Sequence, residues 1–260
     1  MLVDSHCHLD RLKLDEFENG LDTVLANAEQ QGVEHFLCVC VSLQDFNKMR
    51  DAVAGYNNVS ISCGVHPLHQ EDAAYTYDDL IALAADPSVV AIGETGLDFY
   101  YSPDSKAIQT ESFRKHVRAA VELNKPLIIH TRDARQLTID ILREEGAEKV
   151  GGVLHCFTES LEMAQQAMEL GFYISISGIV TFKNAKELQD TVRQIPLERL
   201  LVETDSPWLA PIPYRGKQNQ PAYVKNVAQF VADLKGVSLE ELAQVTTQNY
   251  YDLFALSKKV

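Results

Sequence analysis

Eight short apolar segments rich in β-branched residues recur along the chain, each separated from the next by a longer stretch in which small and apolar residues return at helical spacing. They fall at 2–9, 35–41, 59–66, 89–95, 127–131, 152–156, 172–177 and 200–205, and their ends advance by about 28 residues a step, close to the roughly 30 of one β-α-β unit. Strands interleaved so evenly with helices run parallel. Helices are expected over 15–31, 44–54, 77–85, 105–123, 134–144, 161–170, 185–194 and 223–234, with 239–254 as an added C-terminal helix behind Ser238. The sixth shows the logic: Leu161, Ala164, Ala167 and Met168 share a face, Ser160 is placed to cap and Gly171 to stop it. Eight such units either close as a barrel or stay open as a doubly wound sheet. At 260 residues the length suits a barrel of about 250 without a second domain. The expectation is therefore an α/β chain, a (β/α)8 TIM-type barrel over 1–260 with an extra helix at its end.

Composition narrows the function classes. No stretch approaches the roughly 18 uninterrupted apolar residues of a membrane span, and residues 1–9 carry Asp4, His6 and His8 where a leader would be apolar. A cytoplasmic protein is expected, with no membrane partner. Five scattered cysteines without a Cys-x-x-Cys pair suggest reduced thiols rather than a disulfide framework or a zinc ribbon. Against 23 basic residues stand 37 acidic ones, a net charge of −14, and such a surface repels polyanions unless bound cations and a few placed basic side chains reverse the field locally.

Chemistry collects at one end of the expected strands. His6, His8, His66, His130 and His155 lie at or near strand ends, as do Glu94 and Asp205, and in a β/α barrel that end carries the active site. Side-chain alternation sends His6 and His8 to one side and Cys7 to the other. Asp4, one step earlier on that face, either orients an imidazole or makes a buried structural hydrogen bond. Glu94, between Gly93 and Gly96, follows the apolar run Val89 to Ile92, where a carboxylate has to be solvated or paired with a cation. His130 and His155 each follow an apolar strand in the same way. Glu203 and Asp205 share the inward face of the eighth strand, Asp205 at the mouth and Glu203 a layer deeper, holding a histidine or a hydroxyl. His66 is balanced between substrate contact and loop packing; His35, His69 and His116 fall outside the site. Cys7 and Cys156 are expected to point outward.

The set His6, His8, Glu94, His130, His155 and Asp205 offers four imidazoles and two carboxylates. That exceeds one tetrahedral ion and suits two divalent cations about 3.5 to 4 Å apart, bridged by a carboxylate such as Glu94. Nitrogen and oxygen donors without thiolate favour zinc, manganese, nickel, cobalt or iron, with magnesium less at ease on four imidazoles.

With these residues in place, the sequence resembles the TatD family of metal-dependent hydrolases over nearly its whole length. The resemblance rests on Asp4-Ser5-His6-Cys7-His8-Leu9-Asp10, Gly64-Val65-His66-Pro67, Gly93-Glu94-Thr95-Gly96-Leu97-Asp98, His130-Thr131-Arg132, His155-Cys156-Phe157 and Glu203-Thr204-Asp205-Ser206-Pro207. The blocks at 178–182 and 215–219 look most like its YcfH-type bacterial subgroup. The resemblance implies a β/α barrel, two metals on the six residues named, and deoxyribonuclease activity on DNA ends or single strands.

A phosphodiester substrate calls for cationic groups beside the metals. Arg132 with Arg135 after the fifth strand, Arg215 and Lys217 in the acid-free stretch 210–221, and Lys183 qualify, since barrel loops after the last strands often bind phosphate. Tyr100, Tyr101, Phe157, Trp208 and Tyr214 follow strands on the same face, where an aromatic ring can stack a base. The expected reaction is hydrolysis by metal-activated water, with Glu94 and Asp205 catalytic, Asp205 accepting the proton, and His66, Arg132, Arg215 and Lys217 binding the substrate. The expected partner is DNA or another phosphoester, bound weakly. Oligomeric state is not legible, with a monomer as the default. Two alternatives stay open: a hydrolase of the same barrel group acting on another ester or amide, such as an aminoacyl-tRNA ester, and a non-catalytic metal-holding protein.

Overall fold

The computed structural model describes residues 1–69 and 75–257. The eight apolar segments form strands β1 (Leu2–Cys7), β2 (Val33–Cys38), β3 (Val59–Cys63), β4 (Val89–Asp98), β5 (Leu127–Arg132), β6 (Gly152–Leu154), β7 (Phe172–Ile176) and β8 (Leu200–Val202). They pair in parallel in chain order from β1 to β8. The ring closes just past the strand ends, where Cys7 bridges Ser206, His8 N–H donates to Ser206 O at 2.8 Å and Asp205 N–H donates to His6 O at 2.9 Å. The sheet is thus the expected barrel and not an open doubly wound sheet.

Helices return the chain between strands: α1 (Leu21–Glu29), α2 (Phe46–Val53), α3 (Tyr77–Ala84), α4 (Lys106–Leu123), α5 (Arg135–Glu144), α6 (Leu161–Glu169), α7 (Lys186–Gln194) and α8 (Val224–Lys235). The added helix, α9 (Leu239–Leu253), is capped by Ser238, whose side chain accepts from Glu241 N–H. Ser160 caps α6 in the same way. The first helix begins at Leu21 rather than 15, because residues 14–16 make a 3-10 turn and Gly20, at φ 57°, breaks the chain's direction. None of the helices among the described residues is long and apolar enough to cross a membrane.

Apolar packing has two layers. The larger lies between sheet and helices. The smaller fills the barrel with Val3, Leu37, Ile128, Val153 and Leu201 and joins them to Tyr250 and Phe254. Asn249 donates to Leu200 O at 2.8 Å, at the start of β8, so α9 plugs the amino-terminal end of the barrel. The other end is left for polar side chains. His130, His155 and Glu203 each stand two positions beyond Ile128, Val153 and Leu201, on the inner face, where alternation puts them.

Candidate metal centre and active site

Strand β1 supplies His6 by breaking alternation. Val3 belongs to the inner layer, and Ser5 Oγ reaches Ser175 Oγ of β7 across the interior at 3.1 Å. The pairing with β2 then slips between Asp4 and Cys7, which turns His6 inward and leaves Cys7 in the outer layer. Asp4 orients no imidazole: its carboxylate accepts Thr204 N–H at 2.8 Å, Thr204 Oγ–H at 2.6 Å and His6 N–H at 3.4 Å. It pins β1 to the end of β8, and burial pushes its carboxyl up to about 8.

Around Glu94 the polar side chains sort into two groups. On one side, His6 Nε2 lies 3.2 Å from His8 Nε2, 3.4 Å from Glu94 Oε2 and 3.7 Å from Asp205 Oδ1; His8 Nε2 lies 3.4 Å from Asp205 Oδ1. On the other, Glu94 Oε1 is 2.7 Å from His155 Nε2, 3.2 Å from His130 Nδ1 and 3.2 Å from His66 Nε2. Glu94 thus presents one oxygen to each group. Asp205 reaches its place just past β8 at φ 55°, a left-handed turn that lifts its carboxylate into the mouth.

These donors fit a divalent metal. Ligands at about 2.1 Å in a tetrahedron stand about 3.4 Å from one another, the spacing of the first group. His155 Nε2, though close to Glu94, is buried without a hydrogen-bond partner, as is His6 Nδ1, and a buried imidazole nitrogen without a donor or acceptor is rare.

A surrounding set of groups holds the imidazoles. Asp98 Oδ2 lies 3.0 Å from His130 Nε2, and Glu203 Oε1 lies 3.3 Å from His155 Nδ1 while accepting Cys156 N–H at 2.7 Å. His8 Nδ1 donates to Val39 O at 2.9 Å. The rings of His130, His155 and His8 are thereby fixed in tautomer and orientation. His66 Nδ1 accepts Leu68 N–H at 3.1 Å, so its proton sits on Nε2, facing Glu94; burial holds its basicity down to about 4. Burial opposes ionisation of Glu94 and Asp205, but the surrounding histidines override it: Glu94 is held well below the carboxylate range, chiefly by His155 and His66, and Asp205 below it by His8. The centre is a paired set of anions and imidazoles.

Above it opens a cavity of about 590 Å³ whose lining includes His66, Asp98, Tyr101, Arg132, Cys156 and Trp208. Cys156 does not point outward as expected. It lies beyond β6 at φ 42°, where alternation no longer applies, and its Sγ sits 3.1 Å from Ser177 Oγ on the cavity wall. Of the expected cations, Arg132 lines the cavity. Arg135 is tied to Glu159, and Arg215 lies over the Phe182 ring at 4.1 Å. Neither Arg215 nor Lys217 is among the lining residues, nor is Lys183. Of the aromatics, Tyr101 and Trp208 line it, Phe157 is buried in the core, and Tyr214 stacks face to face on Tyr223 at 3.8 Å. Two groups escaped the sequence reading. Asp98 was within reach of it, two alternations beyond Glu94 on β4. Arg11 lines the cavity three residues after His8, paired with Asp45 at 2.7 Å; the rule that selected Arg132 would have selected it too.

The sequence matches the model of TatD-related DNases over residues 3–255. The chain belongs to the TatD family. It is 57% identical over 253 residues to "Uncharacterized metal-dependent hydrolase YcfH" of Escherichia coli K12, covering 97% of this chain and 95% of that one. It is 36% identical to the mouse protein named "Putative deoxyribonuclease TATDN3", covering 97% of this chain and 88% of the relative. Among solved structures, the TatD homologue YJJV of Escherichia coli superposes with a TM-score of 0.90 at 26% identity, covering 98% of both chains. This TatD protein is a metal-dependent hydrolase built on a TIM-type barrel.

Proposed function

We propose that this TatD protein hydrolyses phosphodiester bonds of DNA as an exonuclease on single-stranded or frayed ends, with two divalent cations held by His6, His8, Glu94, His130, His155 and Asp205. The observation that carries the reading is Glu94, one carboxylate oxygen turned to His6 and His8 and the other to His130 and His155. A carboxylate so placed could be shared between two cations, and paired sites of this kind serve phosphatases and nucleases. When bound, such cations make water acidic enough to attack at neutral pH and offset charge on a phosphoryl oxygen.

The chain's own groups do the rest. Asp205, ionised and at the mouth, accepts the proton from the attacking water. Arg132, exposed on the cavity wall, pairs with the phosphate and offsets its growing charge. His66 Nε2–H hydrogen-bonds Glu94 and fixes the rotamer of that carboxylate, while Asp98 and Glu203 keep His130 and His155 turned inward. The DNase description of the family and the name of the mouse relative support the choice of substrate. A surface of net charge −14 keeps contacts with long DNA weak and salt-sensitive, which favours short ends.

The test is degradation of end-labelled single-stranded DNA by chelator-stripped protein, with and without manganese, magnesium or zinc, read as a product ladder. Stepwise mononucleotide release that needs metal is the expected result. Cleavage of an aminoacyl ester or another ester or amide, with DNA left intact under every metal, would overturn the reading.

A further inference from the structure

Exposed aromatic side chains stand at the cavity: Tyr101 and Trp208 line it, and Tyr100 packs against Tyr101 at 4.8 Å. Tyr101 is 63% exposed, Tyr100 57% and Trp208 50%. Large aromatic side chains left open to solvent beside a cavity are placed to bind a ligand. The rings stand on opposite walls: Tyr100 and Tyr101 follow β4, Trp208 follows β8, and in a closed ring ordered β1 to β8 these strands lie across from each other.

Each wall is tied by a hydrogen bond to a residue of the reaction centre. Asp98, partner of His130, accepts the backbone N–H of Tyr100 at 3.1 Å and of Tyr101 at 2.8 Å. Trp208 N–H donates to Asp205 O at 3.0 Å, and the indole meets the His8 ring edge-on at 5.1 Å. The walls differ in charge. The Arg132 guanidinium lies over the Tyr100 ring at 4.4 Å and the Tyr101 ring at 4.9 Å and makes no ion pair with a carboxylate among the described residues. Cation and ring are held together there, poised for an anion beside an aromatic ligand. On the Trp208 side the ring stands next to the metal-capable histidines, and among the described residues no cation lies over it; Arg11, which also lines the cavity, is held by Asp45.

We propose that the two walls are separate base platforms: one nucleobase of an unpaired strand stacks on Trp208, another on Tyr101, and the phosphodiester to be cut lies between them. Arg132 takes the phosphate on the tyrosine side. This rests on the DNA reading above and deepens it. A base still paired in a duplex has its faces covered by its neighbours, so the arrangement selects single strands and frayed ends. It does so without reading sequence, because every base offers a π-face.

The test is a walk of abasic positions through a phosphorothioate-linked thymidine pentamer, bound to the metal-loaded full chain and followed by anisotropy of an end label. Two positions are expected to weaken binding, each by about 5- to 150-fold, and the others to be silent. Tyr101→Ala should erase the penalty at one of the two and Trp208→Leu at the other, both with unchanged melting temperature. Equal affinity at every abasic position, or penalties that survive both substitutions, would overturn the platforms while leaving the DNA reading intact. No binding of any pentamer, with no cleavage of unmodified strands under manganese, magnesium or zinc, would overturn the DNA reading and the platforms with it.

Discussion

At the scale of single residues, the centre depends on carboxylates that stay ionised against burial. Asp205→Asn keeps the shape and removes the proton acceptor, so turnover should fall at least 1000-fold, of the order general-base loss costs, with the melting curve unchanged; near-normal activity would sink the assignment. Glu203→Gln leaves an acceptor for Cys156 N–H but strips the charge facing His155 Nδ1. Metal affinity measured by chelator competition should drop about 10- to 100-fold. The candidate ligand positions are legible in the sequence because a polar residue ending an apolar strand must be solvated or paired. What alternation misjudged were residues past the strand ends: Cys156, at positive φ, turns into the cavity. Stacking roles were equally hard to assign. Nothing local separates Tyr214, spent on Tyr223, from Tyr101, left open to solvent.

Among elements, the tightest joint is between β4 and β5. Gly96 pairs with His130 at φ 139°, and a Cβ there would meet His130 O at 2.0 Å. Gly96→Ala should therefore destabilise the protein by about 3 kcal/mol or more and displace His130, seen as a lowered urea midpoint together with lost metal affinity. A midpoint equal to that of the wild type would mean that β4 has room to move. Strand and helix order was fully readable, since eight periods of similar length leave few topologies. Element edges were less so. β4 runs on to Asp98 because Thr95 to Asp98 pair with Ile129 to Arg132, whereas β6 and β8 stop at Leu154 and Val202. Pairing partners far along the chain decide such ends, and the slip of β1 against β2 that presents His6 has no local signature either.

For the molecule as a whole, stability is linked to protons and to metal. His116 on α4 accepts Val65 N–H at 3.0 Å on Nε2 and donates Nδ1–H to Ser112 O at 2.8 Å, so the fold holds it neutral. Burial lowers it from 6.5 to about 4. The unfolded chain binds the proton more readily, so this contribution is whole above pH 6.5 and is lost as pH falls from there towards 4, at about 1.4 kcal/mol per pH unit. In chelator-stripped protein, urea midpoints at pH 7.5 and 5 should lie closer together in His116→Gln than in the parent chain; an unchanged gap would show that His116 carries none of it. The proposed metals would act at the mouth of the barrel, where five strands contribute donors to one cluster. At free metal 100-fold above its dissociation constant, each site should add about 2.7 kcal/mol, visible as a melting temperature that rises on metal addition and falls with chelator.

The chain has a single tryptophan, and it stands against His8. Every photon of indole emission therefore originates at the rim of the reaction centre, and the unlabelled protein carries its own optical gauge of that centre. Nickel or cobalt seated on His8 should quench the emission through their open d shells, while closed-shell zinc should leave it bright, so that occupancy can be followed in real time on the native chain.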